Sequence, residues 1–227
     1  MRCGAHIIKL VAQNGLKTIT KAIEKVRLSV KYLTMSPQMS KRFYHVAKHV
    51  NLENQKRLSL NCCTRWNSTF IMLDNSLKYK LAFSRFALID DKYIHCPSNQ
   101  EWDHIETLSK CLKYFHEATQ LLSGTKYLTC NLLFEEFCEI QLLLIEWQKS
   151  SDDTIMTMAY EMKKKFDKYW DMSNKIFAVA TFLDPRYKML AITYFFNLIY
   201  GGNGGVHAND ILSVIETLPR ICIERSI

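Results

Sequence analysis

A mainly α fold is predicted for this 227-residue chain by three observations. Glycine and proline are sparse, seven and four residues, which argues against both a loop-rich β-sandwich and a disordered chain. Apolar residues recur at steps of three and four over most of the length, the period of a helix with one buried face. Ser98-Asn99-Gln100-Glu101 fits a capping box, in which the serine hydroxyl and the glutamate carboxylate satisfy each other's unpaired backbone amides. The exception is residues 57–62. There Leu58, Leu60 and Cys62 alternate with Arg57, Ser59 and Asn61, a short strand signal.

In chain order, residues 5–14 predict a helix that stops at Asn14-Gly15, since glycine accepts the left-handed conformation of a helix end. A second helix over 18–34 carries Ile19, Ile23, Val26, Val30 and Leu33 on one face. Ser36-Pro37 opens a third, to about 49, bearing Lys41, Arg42 and Lys48. After the strand, Asn67 or Ser68 can cap a helix running to about Phe86, with Phe70, Leu73, Leu77 and Leu81 inside. A looser stretch over 88–97 ends at Pro97. The helix behind the capping box shows Ile105, Leu108, Leu112, Phe115 and Leu122 and ends at Gly124. Helices follow at 129–149 and 152–170. Ile176 to Leu183 is nearly all apolar and fits a buried strand or a buried helix equally. Asp184 to Lys188 ends that run, and a helix over 189–200 leads to Gly201-Gly202-Asn203-Gly204-Gly205. This glycine run predicts a flexible turn and lacks the lysine and hydroxyl residue of a phosphate-binding loop. A last helix covers about 206–218.

Charge divides the chain unevenly. Residues 1–87 hold sixteen Lys and Arg against three acids, a net +13, while residues 88–227 carry a net −5. A basic body joined to a mildly acidic one suggests a polyanion partner for the first part; a solvated basic face is the bland alternative. No apolar run is long enough to span a membrane, and Lys9 interrupts the only weakly apolar N-terminal stretch. The eight cysteines form no Cys-x-x-Cys pair, so buried or free thiols are expected rather than a disulfide framework.

Five blocks, in order, resemble the hAT superfamily of transposases, especially its BED zinc-finger, Ricesleeper- and Daysleeper-like members. The first is Arg2-Cys3-Gly4-Ala5-His6-Ile7-Ile8-Lys9-Leu10 with Gly15-Leu16. The second is Val30-Lys31-Tyr32 followed by Ser36-Pro37, and the third is Thr64-Arg65-Trp66-Asn67-Ser68-Thr69. The fourth joins Tyr127-Leu128-Thr129 to Asn131, then Met158-Ala159 and Met162-Lys163 through Lys168-Tyr169-Trp170. The last is Leu183-Asp184-Pro185-Arg186-Tyr187-Lys188. No block decides alone; their shared order over residues 2–200 carries the resemblance.

The resemblance implies an RNase H-like core interrupted by helices, in which three carboxylates hold divalent metal ions such as Mg for strand cleavage. The first two carboxylates are expected upstream of the Cys3 helix and the third near the dimerisation segment that follows the Leu183–Lys188 block, past the end of this chain, so no ligand set and no catalytic residue is expected here. The BED finger and most of the dimerisation region are also expected to lie outside this chain, which predicts a truncated piece of the family's protein. On this reading residues 1–87 are a basic, partial RNase H-like core, and residues 88–227 are helical insertion and hAT-like region.

The site residues follow from the same blocks. The resemblance places Cys3 and His6 near the active site. One Cys-x-x-His pair supplies two ligands where zinc takes four, so packing competes with metal binding and no metal site is assigned. Arg65, Trp66 and Asn67 are the expected DNA-binding residues. The indole can stack on an unpaired base, worth about 1–3 kcal/mol, and the guanidinium can hold a phosphate with two parallel bonds; the bland reading makes Trp66 a core anchor. Asp184 is expected to cap a turn or pair with Arg186 rather than catalyse. Asp152-Asp153, Glu135-Glu136 and Asp90-Asp91 are expected to be a helix cap, a solvated face and a loop. The expected protein is nuclear, DNA-binding and not an enzyme. DNA is its partner, homo-oligomers a second form of assembly, and neither a membrane nor a small-molecule substrate is expected. A helical interaction module, or a non-functional transposase fragment, is the alternative.

Overall fold

The computed structural model describes residues 4–52, 56–60, 65–124 and 130–224, and every regular element among them is helical. The helices are α1 (Gly4–Leu16), α2 (Thr20–Thr34), α3 (Pro37–His49), α4 (Trp66–Lys78), α5 (Lys80–Ala87), α6 (Asn99–Gly124), α7 (Cys130–Trp147), α8 (Asp153–Leu183), α9 (Lys188–Tyr200) and α10 (Gly204–Glu224). Short 3₁₀ turns follow α1 and α9. The mainly α reading holds. The strand near 57–62 does not: residues 56–60 have no regular structure, and Asn61 and Cys62 lie outside the described residues. A strand needs a neighbour for its backbone groups, and none exists among the described residues. The Leu58 N–H donates instead to the Tyr44 hydroxyl (2.7 Å), and the Arg57 guanidinium sits over the Tyr44 ring.

Local chemistry explains several boundaries. Ser36 caps α3 by accepting from the Met39 N–H, with Pro37 as first residue, where its missing N–H costs nothing. The capping box forms as expected: the Ser98 N–H donates to Glu101 and the Glu101 N–H to the Ser98 hydroxyl. Asp152 caps α8 by accepting from the Thr154 and Ile155 amides. Gly15 is not a left-handed stop; Gly201 is the one described glycine with positive φ. The chain turns after Leu16 through a 3₁₀ segment, and the Thr18 hydroxyl takes the Gly15 carbonyl.

Three helices differ in extent from their expected forms, the last of them α10, which runs Gly204–Glu224 rather than 206–218. The helix expected to reach Phe86 breaks at Tyr79, whose N–H bonds back to Ser76 while its carbonyl starts α5. Tyr79 is buried against Phe43 and Tyr44, so aromatic packing outweighs one helical turn. The break re-aims the face: Ala82, Phe83 and Phe86 are buried and Leu81 is exposed, against expectation. The apolar run 176–183 is helix, continuous with the helix before it, so α8 runs 31 residues.

Two compact units result. One comprises Ala12–Glu117 with Asp152–Met158, the other Met1–Val11, Ala118–Ser151 and Ala159–Ile227. The first centres on Phe43, whose ring lies 5.2–5.8 Å from those of Tyr44, Tyr79, Phe83 and Phe86. The buried stripe of α2, Ile23, Val26, Val30 and Leu33, belongs to this unit. The second centres on Phe134, Phe137, Phe166, Trp170 and Phe196, and the Trp170 indole donates to the Tyr200 hydroxyl (2.7 Å). The glycine run does form a turn: Gly201–Asn203 make a 3₁₀ turn, and Gly204 sits where a Cβ would come within 2.5–2.6 Å of the Asn197 backbone.

Candidate nucleic-acid interface

Burial decides how the three expected DNA-binding residues are disposed. α4 starts at Trp66 because that indole is buried, 3% exposed, with its ring edge toward His116. Arg65 therefore becomes the residue before the helix, in extended conformation, and its carbonyl accepts from the Ser68 amide and hydroxyl. Its side chain is exposed. Asn67 falls inside the first turn and cannot cap α4; neither it nor Ser68 does so. The Asn67 side-chain oxygen lies 3.4 Å from His116 Nδ1. So Arg65 faces solvent, Trp66 faces the core, and Asn67 is half-buried between them. In this conformation the indole is not offered to a base; it anchors the segment that presents Arg65.

His116 was not singled out from sequence. Its ring centre lies 4.8 Å from that of Phe70, the two planes tilted by 39°, and burial is the first cause pushing its pKa below the ordinary histidine value. Its signal was available, since it follows Leu112 and Phe115 on the inner side of α6. Cys3 lies outside the described residues, and His6 is exposed on α1.

The basic charge of the first unit is distributed between ion pairs and open surface. Lys25 pairs with Glu101, Lys78 with Asp74, Lys80 with Asp103 and Arg42 with Asp90. Lys21, Lys31, Lys41, Arg65 and Arg85 are exposed with no ion-pair partner among the described residues.

Asp184 and Asp90 are both engaged with arginines. Asp184 accepts from the Arg186 backbone N–H (3.0 Å) and guanidinium (2.7–3.3 Å), capping the turn after α8. Asp90 accepts from Arg42, the Tyr32 hydroxyl and the Lys92 N–H. Glu136 is not fully solvated: burial first, then Glu139 and Glu135, raise its pKa. No group of three or more His, Cys, Asp or Glu that could hold a metal is found among the described residues. Cys96, Cys111 and Cys138 are free thiols, and burial pushes Cys111 up to about 12.

Family comparisons agree with the five blocks. Residues 1–111 match the model of the ZBED1 RNase-like helical domain, and residues 131–223 match that of the hAT-like transposase, RNase-H fold. The chain is 41% identical over 96% of its length to the putative AC transposase of Zea mays. It is 34% identical over 95% to zinc finger BED domain-containing protein RICESLEEPER 1 of Oryza sativa subsp. japonica. It is 30% identical over 78% to DAYSLEEPER of Arabidopsis thaliana. The chain belongs to the hAT transposase family. It spans 27%, 29% and 25% of those three hAT relatives. No solved structure matches. Among its described residues, no helix of this hAT chain is long and apolar enough to cross a membrane.

Proposed function

We propose that this chain is a DNA-binding part of a hAT transposase-derived nuclear protein and does not itself cleave DNA. The observation that carries the reading is the basic surface of residues 1–87, net +13 in sequence, with Lys21, Lys31, Lys41, Arg65 and Arg85 exposed and without ion-pair partners among the described residues. Cations held this way cost little to desolvate against phosphate, and counterions released from DNA supply the free energy. Arg65 is the contact within the family's Thr-Arg-Trp-Asn block, and buried Trp66 and half-buried Asn67 set its position. Residues 1–87 act as the basic, core-derived part and residues 88–227 as the helical part. The engagement of Asp184 and Asp90 with arginines supports a non-catalytic role for both.

The test is fluorescence anisotropy on duplex and hairpin DNA across a salt series. Five phosphate contacts give a slope of about −4.5 in log K against log salt, hence about a 500-fold loss of affinity between 50 and 200 mM. Arg65→Ala weakens binding on every sequence. Absence of binding by the folded protein at 50 mM salt overturns the reading. Nicking of a labelled duplex with added Mg or Mn, abolished by one Asp or Glu substitution, overturns the non-catalytic part.

One observation favours a second reading, a protein-interaction module. Leu190, Tyr194 and Leu198 lie at steps of four on α9 and are 82%, 59% and 50% exposed, beside a groove of about 440 Å³ between α7, α8 and α9. Self-association through this stripe predicts a dimer that Leu190→Glu dissolves, measured by sedimentation equilibrium.

A further inference from the structure

The helix α3 carries Lys41, Arg42, His45, Lys48 and His49, with no acid in its 13 residues. At 100° per residue these five side chains fall within an arc of about 120°, while Phe43 and Ala47 lie opposite and are buried. The arc is therefore the outer face of a helix fixed by its core residue.

Arg42 in that arc is held rather than free. Its guanidinium donates to Asp90 (3.1 Å), whose side chain is 7% exposed and also accepts from the Tyr32 hydroxyl (3.3 Å). The same guanidinium lies 5.7 Å from the centre of the Phe86 ring. Ion pair and ring together restrict its rotamers, so less entropy remains to be lost when it meets an anion. Beside it, Lys41, Arg42, His45, Val46, Phe86 and Ile89 line a hollow of about 380 Å³, cationic on the α3 side and apolar on the other.

We infer that the outer arc of α3, with Arg42 pinned by Asp90, is a docking site for the sugar-phosphate backbone of duplex DNA. This rests on the DNA-binding reading and names one surface that contributes to it. Lys41 and Lys48 are two turns apart, about 10 Å, which matches the axial rise of about three phosphates on one strand. The hollow accepts a phosphate against Lys41, Arg42 and His45, with Ile89 and Val46 against the sugar. Base reading is not its task. The pairing that recognises guanine needs a free, two-pronged arginine, and part of the Arg42 fork is committed to Asp90. The contact positions DNA without selecting sequence.

The experiment compares Lys41→Gln/Lys48→Gln with a charge-matched control, Lys78→Gln/Lys110→Gln, on two duplexes of unrelated sequence across a salt series. All four lysines are exposed, and thermal melts establish that both variants fold. The α3 variant is expected to lower the magnitude of the salt slope by about 2, and the control to leave it unchanged, on both duplexes. Equal loss in the two variants means that bulk charge alone drives binding and overturns the α3 site. A slope change on only one duplex overturns its sequence independence. An unaltered chain that fails to bind overturns the DNA-binding reading and this site together. Binding that survives the α3 variant intact overturns only the site.

Discussion

Phe43→Ala tests whether α3 is held by one aromatic cluster. The ring is fully buried, with four other rings centred 5.2–5.8 Å away. Its removal forfeits the transfer free energy of the side chain and leaves a cavity that the surrounding rings cannot fully close upon. Such substitutions cost about 3–5 kcal/mol. In a chain of this size each kcal/mol moves the midpoint by roughly 2–4 °C, so a fall of roughly 6–20 °C is expected by circular dichroism or calorimetry. Phe43→Leu keeps most of the volume and costs on the order of 1 kcal/mol. Leu81→Ala is the internal comparison, because Leu81 is exposed on the adjoining helix and its loss stays within about 0.5 kcal/mol. Equal effects of Phe43→Ala and Leu81→Ala would refute the reasoning, since the two differ chiefly in burial. A loss of cooperativity in the first transition, rather than a shift, would show instead that the cluster holds the first unit together as a whole.

Other expectations follow from single contacts. Ser98→Ala removes the cap of α6 and costs about 1 kcal/mol, measured by urea denaturation. Glu101 is held below the ordinary glutamate range, first by its bond to Lys25, so its contribution is present above that range and is lost as pH falls through it. Glu101→Gln therefore lowers stability at neutral pH and flattens the acid limb of a stability-versus-pH curve; an unchanged limb would count against the assignment. Glu136 has the opposite sign: burial raises its pKa, so the charged form is penalised in the fold. Glu136→Gln stabilises at pH 7, and the gain vanishes in acid, where both states carry the protonated group. Gly204→Ala forces a Cβ into the Asn197 backbone, so it lowers the midpoint more than Gly205→Ala, which meets open space.

The legible parts of this chain were those set by neighbours in sequence. Ser36, Pro37, Ser98 and Asp152 act within three residues of themselves, and each start they mark is where the helix starts. What sequence could not show was set at long range. Tyr79 breaks a helix without glycine or proline because its ring is wanted by Phe43, 36 positions earlier, and that break turns Leu81 outward. The alternation at 57–62 met no partner strand among the described residues, and Tyr44 took the Leu58 amide. Trp66 beside Arg65 is compatible with a base-stacking platform and with a core anchor, and nothing in six residues separates the two. Separation comes from His116, which meets the buried indole edge-on and is itself backed by Phe70, leaving the arginine as the exposed member. The same limit applied to α3. Lys41, Arg42 and Lys48 were visible as basic residues on a helix, but the commitment of Arg42 to Asp90, 48 positions away, was not. That commitment changes the chemistry: a free arginine can read a base edge, whereas a pinned one offers a fixed charge. The surface is thus suited to the phosphate backbone common to all duplexes, and any choice among sequences falls to other residues.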